Sequence, residues 1–247
     1  MAALKVGIPL YAGFDSLDVI GPFQTFTYAG MDRYLVGPSG DLVTSFEGVS
    51  ILPRATFDKC PQSDQPAPPE VCPQLDVLFV PGGDDPVAVL QAGYPGDNSY
   101  LDFLARQAPG CQLVCSVCTG ALLLAGAGLL DGHTVTTHWA FKEVLRLFPV
   151  NVVDDYRRYV QSGNRITGAG IASGLDLALY IVSLLYGVGV ARQGQLAMQY
   201  NPQPAFHAGD PGDLDIKDNP GMVAQRMKDF QVEQARTAVK EWLTGQS

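Results

Sequence analysis

Residues 113–126 read Leu-Val-Cys-Ser-Val-Cys-Thr-Gly-Ala-Leu-Leu-Leu-Ala-Gly, an apolar strand pattern that passes at Cys118 directly into a helix pattern. We predict a buried strand over Gln112–Val117 and a helix over Thr119–Ala127. A strand-to-helix corner of this kind is a nucleophile elbow, which presents one side chain at the carboxyl edge of a parallel sheet. It also places the Cys118 sulfur at a helix N-terminus, where the dipole favours a thiolate. The alternative is a buried structural cysteine, the usual role of a free thiol.

Cys115 and Cys118 match the spacing of a redox-active Cys-x-x-Cys pair. Within a strand, three residues span roughly 10 Å and the two side chains point to opposite faces. A disulfide requires Cα atoms less than about 7 Å apart, so we do not expect one here. A zinc site is also not expected, because the sequence has no second cysteine or histidine pair at ligand spacing.

Strand and helix patterns alternate on both sides of this corner, which predicts an α/β fold with a mostly parallel sheet covered on both faces. The first half also contains a predicted hairpin across 42–52 that turns near Glu47–Gly48. The other predicted strands of the first half are Val6–Tyr11, Arg33–Val36 and Asp76–Val80, and its other predicted helices are Leu17–Tyr28 and 98–108.

The second half continues the same alternation. Its predicted elements are a strand over Thr134–His138, a helix over Phe141–Phe148, a hairpin across 152–168, a helix over 172–187 and a C-terminal helix over 221–244. We predict one domain over 1–247. Its proline-rich stretch 61–73 is expected to be a surface loop, and the second proline-rich stretch, 201–220, is expected to connect to the C-terminal helix.

Composition excludes several classes of protein. The 247 residues carry a net charge of −9, which disfavours binding to nucleic acid or anionic lipid. Five cysteines, an odd number in a long chain, argue against a secreted disulfide framework and for a cytoplasmic location. The uncharged run 177–191 is shorter than the roughly 18–20 residues of a membrane span, so it predicts a buried helix and no membrane insertion.

A cysteine nucleophile requires a group that controls protons, and two candidates follow predicted strands. Asp18 comes shortly after the first strand, where an acidic residue is otherwise a helix cap, and Asp15 is its nearest competitor. His138 ends a predicted strand and is otherwise a satisfied structural histidine. Because the ends of parallel strands meet at one edge, a carboxyl group there can act as general acid and base. Backbone N–H groups of Gly83 and Thr119 are predicted to face developing negative charge.

The chain resembles the DJ-1/PfpI superfamily and, within it, the isonitrile hydratases. The resemblance covers nearly the whole chain and depends on the order and spacing of its motifs. The motifs are Leu17-Asp-Val-Ile-Gly-Pro22, Val80-Pro-Gly-Gly83, Ser116-Val-Cys-Thr-Gly120, Gly128-Leu-Leu-Asp-Gly132, Thr136-Thr-His-Trp139, Thr167-Gly-Ala-Gly-Ile-Ala-Ser-Gly-Leu-Asp176 and Gln199-Tyr-Asn-Pro-Gln-Pro-Ala-Phe206.

This resemblance implies a flavodoxin-like three-layer sandwich and a homodimer. It implies Cys118 as the nucleophile, assisted by Asp18 as the acid that hydrogen-bonds it, with Thr119 beside them. By analogy the thiolate attacks the terminal carbon of a small-molecule isonitrile to give a thioimidate, and water releases an N-substituted formamide. No metal or organic cofactor is implied.

Departures from relatives separate the alternatives. The protease-like branch has histidine directly after the cysteine, where this chain has Thr119, so peptidase activity is not expected. Glyoxalase-like relatives use a glutamate near the first strand, but His138 keeps an α-oxoaldehyde hydratase open. A cysteine redox sensor is the non-enzymatic alternative. AraC-type regulators share two motifs but add a DNA-binding domain, and the acidic charge of this chain argues against that role. A larger substrate, reached by the loop 61–73, is the remaining possibility.

Overall fold

The computed structural model describes residues 3–58, 70–92, 100–217 and 219–245. The strands within these ranges are β1 Lys5–Pro9, β2 Asp32–Gly37, β3 Val43–Thr44, β4 Ser50–Ile51, β5 Ala55–Thr56, β6 Glu70–Val71, β7 Val77–Val80, β8 Leu113–Ser116, β9 Thr134–Val135, β10 Asn151–Val152, β11 Tyr159–Ser162 and β12 Arg165–Gly168. The helices are α1 Ser16–Tyr28, α2 Pro86–Gln91, α3 Tyr100–Gln107, α4 Gly120–Gly126, α5 Lys142–Leu145, α6 Ser173–Tyr186, α7 Val188–Ala197, α8 Leu214–Lys217, α9 Pro220–Asp229 and α10 Val232–Gly245.

Eight of the described strands form one sheet in the order β11-β12-β8-β7-β1-β2-β5-β6. All pairs in it are parallel except the β11–β12 hairpin. Strands β7 and β8 are buried along their whole length, as expected for strands covered on both faces. One helical layer contains α1, α6 and α7, and the other contains α2 to α5 and α10. This confirms the predicted α/β, flavodoxin-like sandwich with a mostly parallel sheet.

The order of the strands determines where the candidate residues meet. Strands β1, β7 and β8 are adjacent at the centre, so the segments that follow them share one carboxyl edge. These segments lead to Asp18, to Gly82–Gly83 and to Cys118. The predicted hairpin across 42–52 is also present, with β3 and β4 joined by a turn in which Gly48 has φ of 92°.

The uncharged run 177–191 is divided between two helices. Helix α6 ends at Tyr186, and α7 begins at Val188; Gly187 between them has φ of 88°, in the left-handed region. In the described ranges no helix combines the length and hydropathy that a membrane span requires. The buried residues of α6 include Leu177, Ala178 and Ile181, which pack into the core of the molecule.

The strand predicted over Thr134–His138 is wrong beyond Val135. Strand β9 pairs with β10 in a separate two-stranded sheet, outside the central one. After it, the Thr136 N–H donates to Thr167 Oγ1 at 2.8 Å and the Thr137 hydroxyl donates to the Cys118 carbonyl at 2.7 Å. These side-chain bonds replace a strand ladder. The helix predicted over Phe141–Phe148 is shorter, a 3-10 turn at Trp139–Phe141 followed by α5.

The proline-rich stretches and the C-terminus also differ from prediction. Residues 61–69 of the predicted loop lie outside the described residues, and Glu70–Val71 form the edge strand β6 rather than loop. The connection 201–220 contains the short helix α8. The single C-terminal helix predicted over 221–244 is two helices, α9 and α10, because Gln231 between them has φ of 50°. A single domain over 1–247 stays a prediction.

Candidate functional site

Cys118 occupies the corner between β8 and α4 in the conformation predicted for a nucleophile elbow. Its φ is 55°, a left-handed conformation that costs a non-glycine residue roughly 1–2 kcal/mol. The backbone on both sides of the residue is held, since the Cys118 N–H donates to the Ala169 carbonyl at 2.7 Å and its carbonyl accepts from Thr137. The surrounding structure therefore maintains a strained backbone at the thiol, as is common at functional sites.

The Cys118 side chain is buried, and the residue is 6% exposed. Burial raises the pKa of its thiol, and a negative charge on Asp18 raises it further, whereas the backbone N–H groups of Thr119 and Ile171 near the sulfur lower it. Ile171 is a donor that the sequence reasoning missed. Its position in the Gly-Ala-Gly-Ile stretch, directly after β12 at the same sheet edge, was the available signal.

Asp18 lies beside this thiol and is fully buried. It is not the cap of α1, because Asp15 is the residue whose side chain accepts from the Leu17 and Asp18 N–H groups. Asp18 Oδ2 accepts from the Gly82 N–H at 2.8 Å. Burial and the negative charge of Asp15 raise the pKa of Asp18 well above its usual value, against smaller opposing effects of the Gly82 hydrogen bond and of the neighbouring Cys118 side chain. The raised pKa favours the protonated form of the carboxyl group next to the sulfur.

Of the two N–H groups predicted to face developing negative charge, that of Thr119 faces the Cys118 sulfur, whereas that of Gly83 bonds the Thr119 side chain. The Gly83 N–H donates to Thr119 Oγ1 at 3.0 Å, and the Thr119 hydroxyl is 3.2 Å from the Gly83 carbonyl. The Gly83 N–H was predicted to face developing negative charge, but it already donates to the Thr119 hydroxyl. The N–H of Ile171 is instead the second backbone group, with that of Thr119, that lowers the pKa of the Cys118 thiol.

His138 lies at the start of the 3-10 turn, where its Nδ1 accepts from the Ala140 N–H at 3.3 Å. Burial lowers its pKa to about 4, so its imidazole is neutral at physiological pH. The ring packs edge-on against Phe230, with centroids 5.3 Å apart. Although the sequence reasoning placed His138 at the sheet edge, no hydrogen bond joins it to Cys118 in the described part of the chain.

A cleft of about 810 Å³ opens beside the elbow. Three of its lining residues, Thr137, Ala169 and Ile171, are the ones that hold Cys118. His138 and Trp139 line it as well, and so do Tyr200 and four residues of the proline-rich connection, Pro202, Gln203, Pro204 and Phe206. The aromatic side chain of Trp139 lies in the cleft, whereas Phe14 is buried in the core and Tyr159 stacks on Tyr180.

The remaining described cysteines do not extend the site. Cys72, Cys111 and Cys115 are buried free thiols, and burial raises the pKa of Cys72 and of Cys111 to about 12. Burial also raises the pKa of Cys115, which sits inside β8 and is free, as the strand geometry predicts. Cys60 lies outside the described residues. Cys118 is therefore distinguished from the other described cysteines by its buried carboxyl neighbour Asp18 rather than by exposure.

The chain is similar in sequence and in fold to known proteins. Residues 4–184 match the model of the DJ-1/PfpI family. The isonitrile hydratase of Pseudomonas putida is 37% identical over 210 residues, which cover 85% of this chain and 84% of that protein. A solved THiJ/PfpI family protein from Pseudomonas syringae superposes with a TM-score of 0.81 at 32% identity, covering 97% of this chain and 91% of that one.

A regulator is also similar, over a smaller part of its length. The HTH-type transcriptional regulator GbdR of Pseudomonas aeruginosa is 27% identical over 148 residues, 60% of this chain and 35% of the regulator. The hydratase, in contrast, matches along most of both proteins. Together with the sheet order and the elbow at Cys118, the family match over residues 4–184 shows that this chain belongs to the DJ-1/PfpI family.

Proposed function

We propose that the protein hydrates an isonitrile to an N-substituted formamide, using Cys118 as nucleophile and Asp18 as general acid and base. The observation that carries this proposal is the buried Asp18 carboxyl, which interacts with the Cys118 thiol and whose pKa is raised by burial. The similarity to an isonitrile hydratase over most of the chain supports the same reaction class. Each half of the reaction needs one proton donor and one acceptor, and a carboxyl group can serve as both.

In the first half-reaction, the Cys118 sulfur forms a bond to the terminal carbon of the isonitrile. The thiol proton passes through Asp18 to the same carbon, which leaves Cys118–S–CH=N–R, a thioimidate. Asp18 is returned to its starting protonation state. The N–H groups of Thr119 and Ile171, which lower the pKa of the thiol, stabilise the thiolate as it forms.

In the second half-reaction, water adds to the thioimidate carbon. One water proton reaches the nitrogen, and the tetrahedral adduct then breaks its C–S bond while the hydroxyl proton returns to sulfur. The products are the formamide HC(=O)–NH–R and the free Cys118 thiol. All reacting groups come from the chain, the substrate and water.

The cleft beside the elbow is the proposed binding site for the R group. Its walls combine the aromatic side chains of Trp139, Tyr156 and Phe206 with the neutral ring of His138. We assign His138 to substrate contact rather than to proton transfer, because its Nδ1 is already bonded and its pKa is about 4. Thr119 is proposed to position Gly83 and the adjoining Gly82, which holds Asp18.

A homodimer is proposed from the apolar surface of one helical layer. Exposed apolar side chains on this layer are Leu17, Ile20, Leu184, Val188 and Leu196. Multi-angle light scattering is expected to give twice the 26.4 kDa chain mass. A monomer at micromolar concentration would contradict this proposal. A cytoplasmic location agrees with the need for a reduced Cys118.

The test of the proposed function measures formamide release from a simple alkyl isonitrile. Wild-type protein is expected to turn over, Cys118→Ala to be inactive and Asp18→Asn to be nearly so. Cys118→Ser is the matched control, since it keeps the shape but has a far weaker nucleophile. Full activity in Cys118→Ser would overturn the mechanism. Glutathione-independent consumption of methylglyoxal, sensitive to His138→Ala, would instead favour the α-oxoaldehyde hydratase.

A further inference from the structure

Tyr11 is a buried residue beside the site that the proposed mechanism has not used. It follows β1, is 6% exposed, and its hydroxyl has no hydrogen-bond partner among the described residues. Its ring packs edge-on against Tyr100, with centroids 5.2 Å apart. The Tyr100 hydroxyl, equally buried, donates to the Pro9 carbonyl at 3.0 Å. Of these two neighbouring buried hydroxyl groups, that of Tyr100 has a hydrogen-bond partner and that of Tyr11 has none among the described residues.

The unpartnered hydroxyl lies at the Gly82–Gly83 corner of the site. A Cβ atom built on Gly83 would be 2.7 Å from Tyr11 Oη, and one built on Gly82 would be 2.9 Å from Cys118 Cβ. The Gly82 N–H holds Asp18 through Oδ2, and Asp18 Oδ1 has no hydrogen-bond partner in the described part of the chain. The two unpartnered oxygens and the sulfur thus surround the same two glycines.

Leaving a buried polar group unpaired costs about 1–3 kcal/mol, so such groups in native proteins call for an explanation, and a catalytic role is one. Buried groups of this kind are commonly satisfied by a water molecule that bonds several of them at once. A tyrosine hydroxyl can both donate and accept, which suits it to orient a water oxygen. Burial, followed by the effects of Tyr100, Asp18 and Cys118, raises the pKa of Tyr11 well above 10.0, so the phenol keeps its proton.

We propose that the Tyr11 hydroxyl, together with Asp18 Oδ1, holds the water that hydrolyses the thioimidate on Cys118. Tyr11 bonds the water oxygen, and Asp18 gives its own proton to the imidate nitrogen and takes one from the water as the C–O bond forms. The C–S bond then breaks as in the proposed reaction. This inference rests on the proposed function, and it assigns Tyr11 to the second half-reaction alone.

The experiment compares wild-type protein with Tyr11→Phe, using n-butyl isonitrile as the probe. Formamide release gives kcat and kcat/KM, and rapid quenching with intact mass spectrometry measures the Cys118 adduct. In Tyr11→Phe we expect kcat to fall on the order of 10²-fold, the cost of a misplaced reacting group. The adduct accumulates and KM falls with kcat, so kcat/KM stays within about threefold of wild type, because it reports the first half-reaction.

Tyr100→Phe is the matched control, since it removes a neighbouring buried hydroxyl that bonds only Pro9 among the described residues. Its kinetics are expected to equal those of wild type. Tyr11→Phe removes an unpartnered atom, so its unfolding temperature is expected at or above that of wild type. Tyr11→Met, whose flexible side chain fills irregular space, gives a second variant without the hydroxyl and the same expected kinetics.

The outcomes separate this inference from the proposed function. Wild-type kinetics in both Tyr11 variants, or a fall in kcat/KM equal to the fall in kcat without adduct, would overturn the role of Tyr11 and leave the hydratase standing. A wild-type protein that neither forms an adduct on Cys118 nor releases formamide would overturn both. Equal slowing by Tyr100→Phe would show a general packing effect and would also overturn the assignment.

Discussion

The Thr119 hydroxyl connects the nucleophile corner to the glycine turn that follows β7. It accepts from the Gly83 N–H at 3.0 Å and lies 3.2 Å from the Gly83 carbonyl. Thr119 itself is 2% exposed, whereas Gly83 is half-buried. The side chain therefore satisfies backbone groups that water reaches only in part, and it keeps Gly82 in place to hold Asp18.

Thr119→Val is predicted to destabilise the protein by about 1–2 kcal/mol, because it keeps the shape of the side chain but removes the hydroxyl. Thr119→Ser keeps the hydroxyl and is the control, with an expected loss below about 1 kcal/mol. Urea unfolding at constant protein concentration measures both. Equal stability of the two variants would show that the Gly83 bond contributes nothing.

The left-handed backbone of Cys118 leads to a second prediction at the scale of one residue. With φ of 55°, the residue is strained as alanine but not as glycine, so Cys118→Gly should be more stable than Cys118→Ala by about 1 kcal/mol. At Cys115, in the middle of β8, the order should reverse, because glycine in a strand costs roughly 0.5–1 kcal/mol relative to alanine. Thermal unfolding of the four variants tests this, and the same order at both positions would refute it.

At the scale of elements, the apolar stripe near the C-terminus predicted one helix where there are two. Val223, Met227, Val239 and Trp242 recur at helical spacing, which shows periodicity but not the left-handed residue that interrupts it. Helix α9 has no buried residue, whereas α10 buries Val232 and Val239 completely or nearly so. The break therefore separates an anchored helix from a peripheral one.

Val239→Ala is accordingly predicted to cost about 2 kcal/mol, the loss of buried methyl groups together with the cavity they leave. Val223→Ala on α9 is the matched control and should cost less than half as much, because Val223 is only partly buried. Differences in the urea midpoint at unchanged slope measure both values. A similar loss at the two positions would indicate that α9 is docked as firmly as α10.

For the whole molecule, the sequence predicted the parts of the site that depend on chain order. Buried strands followed by Cys118 and by Gly82–Gly83 must share an edge in a parallel sheet, and Asp18 follows the first of these strands. Bonds made by side chains between distant segments were not predictable. The Thr119 hydroxyl bonds Gly83. The Thr136–Thr137 segment bonds Thr167 and Cys118 where a strand was expected. The role of Tyr11 was not predicted either, because no sequence pattern shows that a buried hydroxyl lacks a hydrogen-bond partner.

The dependence of stability on pH is the prediction that involves the whole molecule, because two buried groups act in opposite directions. His138 has its folded-state pKa lowered by burial from 6.5 to about 4, so protons bind the unfolded chain more tightly. The free energy of unfolding therefore decreases as pH falls from 6.5 to 4, by about 3 kcal/mol at 1.4 kcal/mol per pH unit.

Asp18 changes stability with pH in the opposite direction. Burial raises its folded-state pKa above 3.8, so the folded chain binds the proton more tightly and stability falls as pH rises above that value. Asp18→Asn should therefore unfold at a higher temperature than wild type at pH 7, with the gain vanishing near pH 4, while its turnover is lost. His138→Asn, which keeps an acceptor for the Ala140 N–H, should flatten the loss between pH 6.5 and 4. Unfolding temperatures measured across this range test both signs, and variant curves parallel to that of wild type would refute the assignment of these two groups.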